Sequence, residues 1–228
     1  MLRRLGYQRR CRQQSRICRN ETLGAYLRHA AETWPERLDN SPLIAVDLEL
    51  TGLDAKRHAI AAMGWVLVDQ GRIRLGSARL LLIRPEQTVG ASAAVHELTD
   101  SELEHGSHLH QALEELFSAA RGRTWVFHHA ALDVPFLQRA CQQWASCRPP
   151  LPVLDTMAIE RRRRSRRNQV VASGALALDA LRTAYDLPSY PLHDAMMDAL
   201  GTAELLLALG GHMAPNGSPE LQDLLRVF

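Results

Sequence analysis

Residues 45–52 read AVDLELTG, an apolar strand that takes on two carboxylates, Asp47 and Glu49, near its end. Side chains two apart in a strand share a face, so both acids crowd one surface. Like charges repel there, and burying an ionised carboxylate without a partner costs free energy or displaces its pKa. Either the strand end has reached solvent or something cationic lies between the acids. The rest of the chain decides which.

Working outward, SPLIAVDLEL (41–50) is the first of three strands, followed by AIAAMGWVLVD (59–69) and RIRLGSARLLLIRP (72–85). Asp69, Gln70 and Gly71 make a hairpin connection between the latter two, so these strands run antiparallel. A short helical piece is expected near SAAVHEL (92–98). A longer helix follows in HLHQALEELFSAAR (108–121), with Leu109, Ala112, Leu113 and Leu116 on one stripe. TWVFHH (124–129) reads as a strand, ALDVPFLQRACQQWA (131–145) as a helix and PVLDT (152–156) as a last short strand. Two helices, within 174–187 and 193–211, complete the body, and another precedes it in 21–38. Leading strands followed by alternating helices and strands define an α/β domain with a mixed five-stranded sheet flanked by helices. The organisation expected is a basic N-terminal extension with a helix (1–40), the main α/β domain (41–210) and a C-terminal tail (211–228). In that tail Gln222, Leu225 and Phe228 are spaced like a sliding-clamp-binding peptide, though the end of an amphipathic helix explains them more simply.

The 228 residues are 46% hydrophobic, and no apolar run is long enough to span a membrane. Cys11, Cys18, Cys141 and Cys147 lack metal-ligand spacing, and no secretory signal precedes them, so reduced thiols in a cytoplasm are expected. The net charge of +2 conceals an asymmetry. Seven arginines and no acid occupy the first twenty residues, and six arginines lie in RRRRSRR (161–167); the remaining 14 basic residues face 25 acids. Such clusters suit phosphate neutralisation as well as a solvated charge run. Residues 161–167 are expected as a loop.

Carboxylates recur where apolar elements end. Asp133 follows the strand of 124–127 at the start of a helix. Asp194 and Asp198 lie four apart on another helix, with His193 just before it. Asp194 fits an N-cap, whereas Asp198 sits one turn further in, among Ala195, Met196, Met197, Ala199 and Leu200. Hard divalent cations bind such oxygen donors and would supply the missing positive charge.

DLELTGLD (47–54), HHAALDVPFL (128–137) and HDAMMDA (193–199) resemble the three motifs of the DEDDh family, the DnaQ-like 3′-to-5′ exonucleases. His193 stands five residues before Asp198, the spacing of the histidine subclass. The resemblance runs from about Leu43 to Leu209 and implies a ribonuclease H-like fold. It implies that Asp47, Glu49, Asp133 and Asp198 hold two Mg²⁺ or Mn²⁺ ions and that His193 is the general base. Substrate contacts are implied at Thr51, Gly52, Leu53 and His129, and from Arg161, Arg162, Arg163 and Arg164. The partner expected is a nucleic acid with a free 3′ end, single-stranded DNA or RNA, with association to a DNA polymerase or sliding clamp as a further possibility. His129 replaces the family's usual Asn, Leu132 its usual Phe and Glu97 its usual Gly; none of these removes a metal ligand. A catalytically idle nucleic-acid-binding module is the alternative of a different class.

Overall fold

The computed structural model describes residues 2–84, 105–191 and 193–228. Two helices, α1 (Leu2–Ile17) and α2 (Glu21–Ala30), precede strands β1 (Leu43–Leu50), β2 (Ile60–Asp69) and β3 (Arg72–Leu82). Then follow α3 (Leu109–Ala119), β4 (Thr124–Phe127), α4 (Ala130–Ala145), β5 (Pro152–Asp155), α5 (Thr156–Arg166), α6 (Leu178–Ala184) and α7 (Ala195–Met213). A 3₁₀ turn (Leu221–Asp223) and β6 (Arg226–Val227) close the chain. The helix expected near 92–98, with Glu97, lies outside the described residues.

The strands form one mixed sheet in the order β3-β2-β1-β4-β5-β6. β1 is central, antiparallel to β2 and parallel to β4, which is in turn parallel to β5. The expected hairpin is present, with Gln70 and Gly71 both at positive φ (52° and 68°), as a tight right-twisting connection requires. Helices cover both faces, which is why β1 is apolar almost throughout. Ile44, Val46, Leu48 and Leu50 point into one core with α1 to α4, while Leu43 and Ala45 join the core beneath α7. Alternation therefore turns Asp47 and Glu49 toward α7. The two N-terminal helices are integral to the first core: Tyr7 and Cys11 are buried, and Trp125 Nε1 of β4 donates to the Tyr26 hydroxyl at 2.9 Å.

Two expectations are corrected. The sheet has six strands, because the C-terminal tail supplies β6, pairing Val227 with Pro152 and Arg226 with Val153. The tail is a docked segment: Leu221 and Leu225 are buried, and the Leu221 N–H donates to the Glu36 carbonyl at 2.8 Å. With Leu225 in the core, the tail in this fold does not present a clamp-binding peptide. Second, the arginine run is helical. Asp155 caps α5 by accepting from the Ala158 N–H at 3.1 Å, and buried Glu160 pairs with Arg163 and Arg164 one turn on, at 3.3 and 2.8 Å. A capped first turn and i,i+3/i,i+4 pairing offset the repulsion that would otherwise favour a loop.

The cysteines are free thiols, three of them buried, and no helix is long and apolar enough to cross a membrane.

Candidate active site

Because β1, β4 and β5 are parallel, their carboxyl ends lie along one edge of the sheet, where α/β folds place their ligands. Glu49, the β4–α4 junction and Asp155 all meet there. Asp47, Glu49 and Asp198 each place a ligand atom within 4.8 Å of the others. Asp133, 4% exposed in the first turn of α4, stands beside them: its charge is felt by Asp47, and it feels those of Asp155 and Glu49. The four carboxylates expected from the motifs are thus brought to one place.

A glycine makes this convergence possible. Gly64 on β2 is the register partner of Asp47, and a Cβ built there would lie 2.1 Å from the main-chain carbonyl of Ala195. The first turn of α7 therefore rests directly on the sheet backbone, and this close approach carries Asp198 to Asp47 and Glu49. Asp194 caps the same turn as expected, accepting from the Met196 and Met197 N–H groups at 2.9 and 3.0 Å.

What surrounds these carboxyls is chiefly other carboxyls. Burial, then Asp133, Asp198 and Glu49, push the Asp47 pKa well above the ordinary carboxyl range. Burial, then Asp155 and Glu49, do the same to Asp133. Asp198 is raised by burial, partly offset by a hydrogen bond from the His193 backbone and by that imidazole. Repelling, buried or half-buried, hard oxygen donors within a few ångströms are what a divalent cation fits. Such a cation would reverse the cost of gathering them.

His193 is exposed, in the left-handed region (φ 63°) at the mouth of the cluster. Leu53, just past β1, is 81% exposed, an unusual position for a large apolar side chain. Thr51 fixes this turn, its hydroxyl accepting from the Ala59 N–H at 2.9 Å, and Gly52 packs against the His58 ring. His129 is exposed, and its N–H donates to Asp155 Oδ1 at 3.3 Å. Among the expected phosphate-contacting arginines, Arg161 is exposed, Arg162 donates to the carbonyls of Asp223 and Leu224, and Arg163 and Arg164 are engaged by Glu160. The structure does not gather these arginines with the carboxylates.

Two further residues escaped the sequence reading. His128 bridges β4 to α5 and the segment before α6, its Nε2 donating to the Leu176 carbonyl at 2.9 Å and its Nδ1 2.8 Å from the Thr156 hydroxyl. Burial pushes its pKa down to about 4. The unfolded chain takes up this proton near pH 6.5. Stability held by the neutral ring is therefore complete above about pH 6.5 and declines as pH falls toward 4, by on the order of 3 kcal/mol. Melting curves across that range are expected to decline less for His128→Gln than for the wild type; parallel curves would refute the assignment.

Arg182, 5% exposed on α6, donates to the Gly201 carbonyl at 2.9 Å and stacks over Tyr190, 4.3 Å from the ring centroid. Glu204 Oε2 lies 2.8 Å from it but makes no hydrogen bond, so that contact is ionic. Arg182 thereby ties the segment leading to His193 onto α7. Arg182→Met should destabilise by about 3 kcal/mol in urea titrations, since it strands the Glu204 charge and a buried carbonyl. A loss below about 1 kcal/mol would show the network to be slack.

Comparison with known proteins agrees with this geometry. The sequence profile of the exonuclease family matches residues 44–206, most of the chain, including Asp47, Glu49, Asp133 and Asp198. The chain belongs to the exonuclease family, that of the DnaQ-like enzymes. It is similar to the 3′-5′ exonuclease DinG of Staphylococcus haemolyticus, 25% identical over 71% of this chain and 17% of that protein. It is also similar to the DNA polymerase III subunit epsilon of Escherichia coli, 27% identical over 74% of this chain and 71% of that one. The chain thus spans about a sixth of the DinG protein. Among solved structures, Exonuclease X in complex with 5′ overhanging duplex DNA superposes with a TM-score of 0.58 over 80% of this chain and 98% of that one, at 21% identity. Exonuclease I of E. coli in complex with an oligonucleotide superposes with a TM-score of 0.62 over 77% and 42%, at 14% identity. The ribonuclease H-like exonuclease fold is thereby established.

Proposed function

We propose that this chain is a metal-dependent 3′-to-5′ exonuclease removing nucleotides from single-stranded DNA. The observation that carries the reading is the gathering of Asp47, Glu49 and Asp198 within 4.8 Å, with buried Asp133 beside them. Asp47, Glu49, Asp133 and Asp198 would hold two Mg²⁺ or Mn²⁺ ions. Bound there, such ions supply Lewis-acid polarisation of the phosphodiester and offset charge on the departing 3′ oxygen.

The chain's own residues do the rest. His193, accessible at the mouth and hydrogen-bonded through its backbone to Asp198, takes the proton of the attacking water. Exposed Leu53 stacks on the terminal base, held out by the Thr51 turn. A wedge of this kind reads an unstacked end, which supports a single-stranded substrate. Carboxylates and imidazole do not discriminate sugars, so DNA and RNA differ here only in whether the Thr51–Leu53 turn accepts a 2′-hydroxyl.

Matched, end-labelled DNA and RNA single strands test the assignment. Faster shortening of DNA is expected; equal or faster shortening of RNA would reassign the substrate to RNA. An idle binding module would shorten neither.

A further inference from the structure

The two arginine clusters, about 150 residues apart in the chain, meet at the β6 edge of the sheet. Tyr7, Gln8 and Cys11 are the buried positions of α1, so Arg3, Arg4, Arg9, Arg10 and Arg12 all face solvent. Arg10 reaches the C-terminal residue, its guanidinium 3.2 Å from the Phe228 carbonyl. From the other side of the sheet, Arg162 of α5 grips the turn before β6, donating to the Asp223 and Leu224 carbonyls at 3.2 and 3.1 Å. Arg226 projects from β6 itself, exposed. Arg3, Arg166 and Arg226 come close enough to Arg162 to disfavour its charge. A cleft between α5 and the tail is lined by Arg162, Arg163, Arg166 and Arg167, with Asp223 as its acid.

We infer that α1, the arginine half of α5 and β6 form one binding face for a nucleic-acid backbone, separate from the carboxylate cluster. Folding gathers guanidinium groups at this edge against their mutual repulsion; of the two buried acids alongside, Glu160 is already paired with Arg163 and Arg164, and Asp155, which favours the charge of Arg162, caps α5. A polyanion reverses that cost and releases its own counterions. Guanidinium forks match phosphate oxygens, and contacts of that kind read backbone, not sequence. The cleft also touches Met213, fifteen residues beyond Asp198 on α7. That is about 22 Å along the helix at 1.5 Å per residue. A strand whose 3′ end lies at the carboxylates would therefore meet this face several nucleotides upstream, and a short oligonucleotide would not reach it. The choice of nucleic acid over an acidic protein rests on the exonuclease reading.

The test is fluorescence anisotropy in chelator, where nothing is cleaved, with a short and a long oligothymidylate. The Arg3→Ala/Arg166→Ala/Arg226→Ala variant is expected to bind the long strand about tenfold more weakly at low salt. Its log–log salt slope should shrink by roughly 2, three contacts at about 0.7 each. Affinity for the short strand should be unchanged, and Arg→Lys at the same three positions should restore both affinity and slope. That restoration separates charge from folding defects. An unchanged slope in the alanine variant overturns the proposal, as does a loss equal for short and long strands, or an effect confined to acidic peptides or anionic vesicles. Because no cleavage is read, failure of the exonuclease reading would show separately, as oligonucleotides left intact when metal is added.

Discussion

Asp47→Asn is expected to cut hydrolysis by about 10³-fold or more while raising the melting temperature of the metal-free protein. The activity loss follows from removing one preorganised charge at the reacting centre. The stability gain follows from the same charge. Burial and four neighbouring carboxylates raise the Asp47 pKa, so its ionised form is disfavoured in the folded protein relative to the unfolded one. A group with a raised folded pKa holds more protons folded than unfolded, so metal-free stability falls as pH rises from the ordinary carboxyl range through the elevated one. Asparagine removes that slope and should raise the melting temperature at neutral pH. Adding Mn²⁺ should reverse the ranking: wild type gains melting temperature by mass action, and Asp47→Asn gains little. Calorimetry of both proteins, with and without Mn²⁺ and across pH, reads all of this. An Asp47→Asn protein less stable than wild type without metal would mean the cluster is not held under repulsion.

Gly64→Ala carries the second large effect, although the residue lies on β2 and bears no functional group. The added Cβ would stand 2.1 Å from the Ala195 carbonyl group and 2.3 Å from the Met196 nitrogen. These are backbone atoms capped by Asp194 and have no rotamer by which to retreat. α7 must lift by about 1 Å, and a displacement of that size near the chemistry costs on the order of 10²-fold in rate. Overpacking should remove about 1–3 kcal/mol of stability as well. Gly211→Ala, on the same helix where nothing lies within 4 Å, should keep full activity and stabilise slightly. Wild-type activity in Gly64→Ala would show that the approach of α7 to the sheet does not position Asp198.

Much of this was readable from residue types and spacing. Alternation along β1 put Asp47 and Glu49 on one face, and Asp194 announced the N-cap that aims Asp198. Positions whose meaning depends on distant partners were not readable. RRRRSRR reads as a solvated loop until buried Glu160 and capping Asp155 are seen to hold it helical. Gln222, Leu225 and Phe228 carry the spacing of a helix end, but only a 3₁₀ turn forms at Leu221–Asp223 before the open edge of β5 takes Arg226 and Val227 as a strand. His128 gives no local sign of its two partners, 28 and 48 residues away. Gly64 did leave a signal: a glycine inside an otherwise apolar strand marks close approach of another backbone.

The most direct measurement is a time course on single-stranded DNA labelled at its 5′ end, with Mn²⁺, with chelator and with Asp198→Ala. A ladder of labelled products shortening one nucleotide at a time, seen only for wild type with metal, is the result predicted. Immediate release of labelled mononucleotide, cleavage in chelator, or equal cleavage by Asp198→Ala would contradict a metal-dependent 3′-to-5′ exonuclease built on these carboxylates.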